Sequence, residues 1–264
     1  MGFKCKRYEQ WTLEDLNLDL NLSKTNNWQL NSEKIVQVSL AVKKHCNKKF
    51  VQLPFCNTLE SEALGAIVDY GDLKTNSRIK NCVYENSNDL NMEFQNLNCR
   101  CTTPRMDAMI ESIRTLKKMG ETVIFNVTGP ITILSSLIEL KTILKLNRKD
   151  EETLTVCINS VFEFLKYYIE MIEKSGADLI SYGDPVGNME ILGQNYFQKL
   201  SKPLQLNLLR QFENMKIKVH VCGLLSSILN DDKEINIEKG GIFLLNQSKS
   251  NENKIYGLSC IGHW

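Results

Sequence analysis

The feature that most constrains the fold is a regular alternation of short apolar segments with long helical segments. The predicted elements from residue 105 onward are, in order, a helix over 105–118, a strand over 122–127, helices over 131–144 and 152–174, a strand over 177–182, a helix over 202–215 and a strand over 216–222. Strands that alternate with helices of about 12 or more residues are typical of parallel βαβ units. We therefore predict an α/β fold with a parallel sheet.

Three of these strands run into residues that break regular structure or carry chemistry. The segments at their ends are Thr128-Gly129-Pro130, Gly183-Asp184-Pro185 and His220-Val221-Cys222-Gly223. The active site of a TIM barrel is built where parallel strands end at their carboxyl side. Because the whole chain offers about seven strands, we predict a TIM (βα)8-type barrel with one unit missing or degenerate.

The sequence predicts a short N-terminal segment in front of the barrel domain. Residues 1–49 are interpreted as an N-terminal helical preamble, with one helix over 31–45, and residues 50–264 as a single α/β barrel domain. Within the barrel domain the pattern predicts a helix over 60–69, no regular structure over 85–104, and a last strand over 254–260.

Charge and cysteine content exclude several classes of protein. The 32 basic and 31 acidic residues give a net charge of +1, and no basic tract indicates a nucleic-acid partner. No apolar run reaches the roughly 18 residues that span a membrane, and the first residues lack the apolar segment of a secretion signal. We therefore predict a cytoplasmic protein without membrane or nucleic-acid partners, whose nine cysteines are reduced thiols.

A metal site is predicted from His220, Cys222 and the later Cys260. Residues i and i+2 of a strand share a face, so the His220 and Cys222 side chains point the same way. An imidazole and two thiolates are ligands that Zn²⁺ prefers, and three protein ligands leave one position open for a substrate thiol. The alternative is a buried strand with a hydrogen-bonded histidine and an inert thiol.

Three carboxylates are further candidates for the site. Glu60 and Glu62 follow the first strand, where they form either a solvated first helical turn or, for one of them, the fourth zinc ligand. Asp184 precedes a proline at a strand end, which suits either a turn or a charge inside the pocket. We predict catalytic roles for all three, with Glu60 as the additional metal ligand.

Several segments together resemble the uroporphyrinogen decarboxylase superfamily, and within it the branch that moves methyl groups from corrinoids. The matching segments are 53–66 (LPFCNTLESEALGA), 126–134 (NVTGPITIL), 181–187 (SYGDPVG), 191–193 (ILG), 220–223 (HVCG) and Cys260. They occur in the family's order from about residue 50 onward. The chain departs from the family in the short stretch between Cys222 and Cys260, and it lacks the arginine-bearing N-terminal motif of the decarboxylases.

The resemblance implies a TIM barrel that binds zinc through His-X-Cys and a distant cysteine. Such proteins take a methyl group from a methylated corrinoid protein and pass it to a small-molecule thiol such as coenzyme M or homocysteine. Gly129 and Asp184 are the residues expected to bind the corrinoid. The alternatives are methyl transfer to a pterin of the tetrahydrofolate type, a porphyrinogen decarboxylase, or a non-catalytic barrel that binds zinc or a tetrapyrrole.

Overall fold

The protein is described by a computed structural model that covers residues 11–16, 18, 28–72, 74–232, 235–238, 241–244 and 255–257. The α-helices are α1 (Ser32–His45), α2 (Leu59–Ala63), α3 (Ser87–Gln95), α4 (Pro104–Lys118), α5 (Pro130–Ser135), α6 (Leu140–Lys149), α7 (Glu151–Ser175), α8 (Met189–Tyr196), α9 (Lys202–Glu213) and α10 (Gly223–Asp231). The strands are β1 (Val51–Leu53), β2 (Ile67–Asp69), β3 (Arg78–Asn81), β4 (Val123–Thr128), β5 (Leu179–Gly183), β6 (Lys218–Val221), β7 (Ile235–Glu238), β8 (Gly241–Leu244) and β9 (Ile255–Tyr256).

The main sheet has seven strands in the order β1-β4-β5-β6-β9-β8-β7. The first five pair in parallel, whereas β9, β8 and β7 pair antiparallel. Strands β2 and β3 form a separate antiparallel hairpin. The prediction of an α/β fold with a parallel sheet is therefore confirmed. In the described residues that follow α10, strands β7 and β8 pair antiparallel.

The two faces of the parallel sheet differ in chemistry because side chains alternate along a strand. On the helix-covered face, Phe125 packs against Tyr168 of α7, and Tyr182 packs against Phe212 of α9. The opposite face carries a buried polar row, one residue from each of β1, β4, β5 and β6: Gln52, Asn126, Ser181 and His220. The polar face is the one that can receive a ligand.

Two long helices hold this sheet in place, and their ends follow from sequence. The Thr103 side chain caps α4 by accepting a hydrogen bond from the Met106 amide at 3.2 Å, and Pro104 occupies the first turn. Helix α7 ends at Gly176, whose φ of 94° lies in the left-handed region that favours glycine. The sequence predicts both helices to within a residue or so.

The region after β1 differs from the prediction. The helix predicted over 60–69 is wrong beyond its first turn, because α2 ends before Gly65, where φ is +100°, and β2 then pairs with β3. The predicted irregular segment 85–104 contains α3, which Asn86 caps by accepting hydrogen bonds from the Asn88 and Asp89 amides. Leu90 and Phe94, one helical turn apart, are buried on its inner face.

Three further segments also differ from prediction. The helix predicted over 131–144 is split into α5 and α6, because the Leu137 carbonyl accepts hydrogen bonds from Val83 and Tyr84 instead of continuing the helix. Helix α8 and a π-helical turn at Phe197–Ser201 occupy a segment for which no element is predicted. Most of the last predicted strand, 254–260, lies outside the described residues, which include β9 from it.

Helix α1 contacts both β1 and α4, and its buried Ile35 and Val38 belong to the same apolar core as Val51. The division of the chain at residue 50 stays a prediction. Within the ranges described, no helix combines the length and apolarity needed to cross a membrane.

Candidate active site

The three chemistry-bearing segments predicted from sequence lie side by side at the carboxyl edge of the sheet. The Gly129 amide donates to the Gly183 carbonyl at 2.8 Å, and the Cys222 amide donates to the Tyr182 carbonyl at 2.8 Å. These bonds extend the parallel ladders one residue beyond β4 and β6. Parallel strand ends are thereby aligned in the way that an α/β active site requires.

His220 and Cys222 occupy the end of β6. The His220 ring is buried, and its Nδ1 lies 3.3 Å from the Ser181 hydroxyl of the neighbouring strand. Cys222 is half-buried and is the N-cap residue that precedes α10. Since the backbone of Cys222 continues the ladder, alternation places its thiol on the same face as the imidazole.

The third predicted ligand, Cys260, lies outside the described residues. Among the residues that the structure does describe, no three His, Cys, Asp or Glu side chains form a group that could hold a metal ion. The donor chemistry of His220 and Cys222 still suits zinc, because an imidazole nitrogen and a thiolate are two of its ordinary ligands. The zinc site therefore stays a prediction.

Glu60 is fully buried at the carboxyl end of β4. Its Oε1 accepts a hydrogen bond from the Thr128 amide at 2.9 Å, while Oε2 has no partner among the described residues. Burial raises the pKa of this carboxyl above its ordinary value, although the Thr128 hydrogen bond opposes the shift. A buried carboxylate oxygen without a partner is available to a ligand or a metal ion.

Glu62 stands in a different environment from Glu60. Its Oε2 forms an ion pair with Nη1 of Arg105 at 2.9 Å, and its Oε1 accepts a hydrogen bond from the Tyr70 hydroxyl at 2.5 Å. Both carboxylate oxygens are therefore committed to the protein.

Arg105 is the main polar residue of this region that the sequence analysis missed. Its side chain is completely buried, and its guanidinium donates to Thr58 Oγ1 at 3.0 Å and to Cys56 Sγ at 2.7 Å. The Tyr70 ring covers the guanidinium at 5.1 Å. Its position in the helix could have indicated that it is buried, because Arg105 lies one helical turn before the buried Met109 on the inner face of α4.

Asp184 is buried and accepts four hydrogen bonds. The donors are the amides of Ile131 and Thr132 at 3.1 and 2.8 Å, the Thr132 hydroxyl at 2.6 Å and the Gln205 amide group at 2.8 Å. Burial raises the pKa of Asp184 from its ordinary value, against the lowering effect of these bonds. Asp184 thus ties the first turn of α5 to the end of β5 and to α9.

Gly129 lies directly against Asp184. A Cβ atom added at Gly129 would lie 2.4 Å from the Cβ of Asp184 and 2.7 Å from the Tyr182 hydroxyl, so glycine is required by the close approach. The predicted roles of Asp184 in catalysis and of Gly129 and Asp184 in corrinoid binding stay predictions.

These features define an α/β protein with a candidate site of zinc-type ligands and a buried carboxylate at the carboxyl edge of a parallel sheet. The family model for uroporphyrinogen decarboxylase (URO-D) matches residues 23–242, most of the chain. The chain belongs to this family, which confirms the resemblance inferred from its motifs.

Two relatives carry the name methylcobamide:CoM methyltransferase. MtaA of Methanosarcina barkeri is 25% identical over 211 residues, which make up 79% of this chain and 61% of that protein. MtbA of Methanosarcina acetivorans is 25% identical over 179 residues, 66% of this chain and 51% of that protein. The chain thus spans between about half and two-thirds of the length of these relatives.

A solved structure has the same fold. It is described as a methyltransferase from Methanosarcina mazei and superposes with a TM-score of 0.67 at 20% identity, covering 86% of this chain and 67% of that one. Together with the family match, this likeness confirms a fold of the TIM-barrel type.

Proposed function

We propose that this protein transfers a methyl group from a methylated corrinoid protein to a thiol, with zinc as its metal. The observation that carries the proposal is the pair His220 and Cys222 at the carboxyl end of β6, in a chain whose relatives are named methylcobamide:CoM methyltransferases. Those names favour coenzyme M as the thiol. Homocysteine and a pterin are the other acceptors to be tested.

The residues proposed to hold the metal are His220, Cys222 and Cys260, with Glu60 at the fourth position. A zinc ion bound there would supply the charge that keeps an incoming thiol deprotonated at neutral pH. The choice of Glu60 over Glu62 is supported by Oε2 of Glu60, which has no partner among the described residues, and by the ion pair that occupies Glu62.

Ser181 is proposed to orient the imidazole of His220. Its hydroxyl lies 3.3 Å from Nδ1, and both side chains are buried. Pairing Nδ1 with Ser181 directs Nε2 toward the site, and a partner on the second ring nitrogen commonly fixes a ligating histidine.

The transfer is a displacement at carbon. The sulfur of the thiolate forms the new S–C bond while the methyl group leaves the cobalt of the corrinoid, which departs as Co(I). The thiol proton goes to solvent before the displacement. The contribution of the chain is to hold the two reactants in line, and such positioning is worth about 7–11 kcal/mol at most.

Metal analysis and a thiol-dependent assay test the proposal. We expect one zinc per chain, lost in Cys222→Ala and retained in Cys82→Ala, a control that removes an exposed thiol. With methylcobalamin as donor, anaerobic formation of Co(I) should require both zinc and coenzyme M. A protein that holds zinc but demethylates neither free methylcobalamin nor a methylated corrinoid protein, with any of these acceptors, would refute the proposed reaction.

A further inference from the structure

Thr128, the last residue of β4, carries a buried hydroxyl without a hydrogen-bond partner among the described residues. Side chains alternate along a strand, so Thr128 lies on the same face as Asn126 of the polar row and on the face opposite Phe125. A buried hydroxyl without a partner is uncommon in proteins and calls for a physical reason. Valine has nearly the same shape and would fill this position without burying an unpaired donor.

The same residue holds the carboxylate of Glu60. The Thr128 amide donates to Oε1 of Glu60 at 2.9 Å, and since the hydroxyl belongs to the same residue, it lies close to the carboxylate as well. Burial raises the pKa of Glu60, while the amide and the hydroxyl of Thr128 both act to lower it. The hydroxyl nevertheless forms no hydrogen bond of ordinary geometry with the carboxylate.

The register of the sheet places Thr128 in one row with Cys222. Thr128 pairs with Gly183 of β5. The Cys222 amide, which donates to the Tyr182 carbonyl, continues the ladder between β5 and β6 and brings Cys222 beside Gly183. Two strand spacings of about 4.8 Å each therefore separate Thr128 from Cys222. Because the residue between them is a glycine, no side chain of this row stands between the Thr128 hydroxyl and the Cys222 thiol.

Three other buried side chains also have a polar atom without a partner among the described residues: Ser61, Arg105 and Tyr168. Tyr168 packs against Phe125 on the helix-covered face, and Arg105 is held by its ion pair with Glu62. Ser61 lies in α2, outside the sheet. Of these donors, only Thr128 has a described contact with the Glu60 carboxylate and a place in the strand row of Cys222.

We propose that Thr128 is a binding residue for the acceptor, and that its hydroxyl donates a hydrogen bond to the sulfur of the thiol that replaces Glu60 at the site. The sulfur takes the place of a carboxylate that Thr128 already holds, so it arrives next to the hydroxyl. A thiolate is a charged acceptor, and a hydrogen bond to a charged group is stronger than one between neutral groups. This inference rests on the proposed function and deepens it by naming the residue that receives the thiol.

The test is the affinity for thiol of zinc-loaded Thr128→Val protein, measured by calorimetric titration with coenzyme M, homocysteine and ethanethiol, which has a sulfur but no polar tail. We expect the dissociation constant of each thiol that wild-type protein binds to rise about tenfold, the effect of losing one hydrogen bond to a charged group. Zinc content should be unchanged. The Tm of the thiol-free protein should be equal or higher, because burying an unpaired hydroxyl costs stability.

Three comparisons separate a direct contact from other effects. Thr128→Ser, which keeps the hydroxyl, should bind thiol as wild-type protein does. Ser61→Ala, the matched control, removes another buried hydroxyl without a described partner and should leave thiol affinity unchanged. In a Glu60→Gln background, Thr128→Val should still raise the dissociation constant about tenfold, because the hydroxyl acts on the sulfur and not through the carboxylate.

Several results would overturn the inference. They are an unchanged dissociation constant in Thr128→Val, an equal loss of affinity in Ser61→Ala or in Thr128→Ser, an effect that disappears in the Glu60→Gln background, and a fall in Tm of several degrees in Thr128→Val. An effect limited to thiols with a polar tail would also overturn the contact with sulfur. Wild-type protein that binds zinc but no thiol would instead overturn the proposed function itself.

Discussion

Glu60 and Glu62 are two residues apart, and the same substitution in each should have very different consequences for stability. Glu62→Gln removes the countercharge of the completely buried Arg105 guanidinium, at the end of a 2.9 Å ion pair. Breaking a buried pair by neutralising one partner costs about 3–5 kcal/mol. Because the Glu62 side chain is 14% exposed and glutamine keeps an acceptor oxygen, we expect the lower end, about 3 kcal/mol.

Glu60→Gln should change stability by less than about 1 kcal/mol. Glu60 forms no ion pair among the described residues, although the charge of Arg105 acts to lower its pKa, and glutamine still accepts the Thr128 amide hydrogen bond. In Glu60→Gln the buried negative charge is removed, which is favourable. This gain offsets the cost of burying the new side-chain NH2 group of glutamine. The chemical change is the same in both variants. The expected difference in their free energies of unfolding therefore comes from the surroundings of each side chain.

Urea unfolding of metal-free protein, followed by circular dichroism, measures both variants without a contribution from bound metal. Glu62→Gln should also lower Tm by about 6–12 °C, given about 2–4 °C per kcal/mol for a chain of this size. A Glu62→Gln/Arg105→Met double variant should be less destabilised than the sum of the single variants. Equal stability losses in Glu60→Gln and Glu62→Gln would refute the assignment of the Arg105 partner.

Four further outcomes follow from the same contacts. Gly129→Ala should lose about 1–3 kcal/mol in urea unfolding, because its Cβ would lie 2.4 Å from Asp184. Asp184→Ala should lose at least about 3 kcal/mol in the same assay, since the donors at the start of α5 lose their acceptor. Ser181→Ala should weaken zinc binding about 10–100-fold in competition with a chelator, with little loss of Tm. Burial raises the pKa of Glu60 above its ordinary value in the folded state, so stability falls as pH rises from that ordinary pKa through the folded one. Glu60→Gln should flatten that part of the pH profile.

The strand ends of the sheet could be predicted from sequence because local chemistry determines them. A glycine and a proline after β4, an aspartate and a proline after β5, and His220 with Cys222 at β6 each interrupt an apolar strand in a recognisable way. The length of α7 was predictable for the same reason, since Gly176 stops a long amphipathic pattern. These features need no knowledge of distant contacts.

The region after β1 could not be predicted because distant contacts decide it. Residues 67–69 continue a helical pattern, yet they pair with β3 once Gly65 has turned the chain. Arg105 lies in a different helix, more than forty positions after Glu62, and only the fold brings them to 2.9 Å. The tertiary structure therefore decides which of the two glutamates is paired with Arg105.

The three candidate carboxylates of the site differ in how many partners the fold gives them within the described residues. The sequence predicts Asp184 as a site residue. In the structure, however, both of its carboxylate oxygens accept hydrogen bonds from the first turn of α5 and from Gln205. Glu62 is likewise used by Arg105 and Tyr70. Among the described residues, Oε2 of the fully buried Glu60 has no partner, and the half-buried Cys222 lies at the end of β6. Since a buried polar atom without a partner costs folding free energy, its presence at the carboxyl edge of the sheet argues that binding, rather than stability, accounts for Glu60 there.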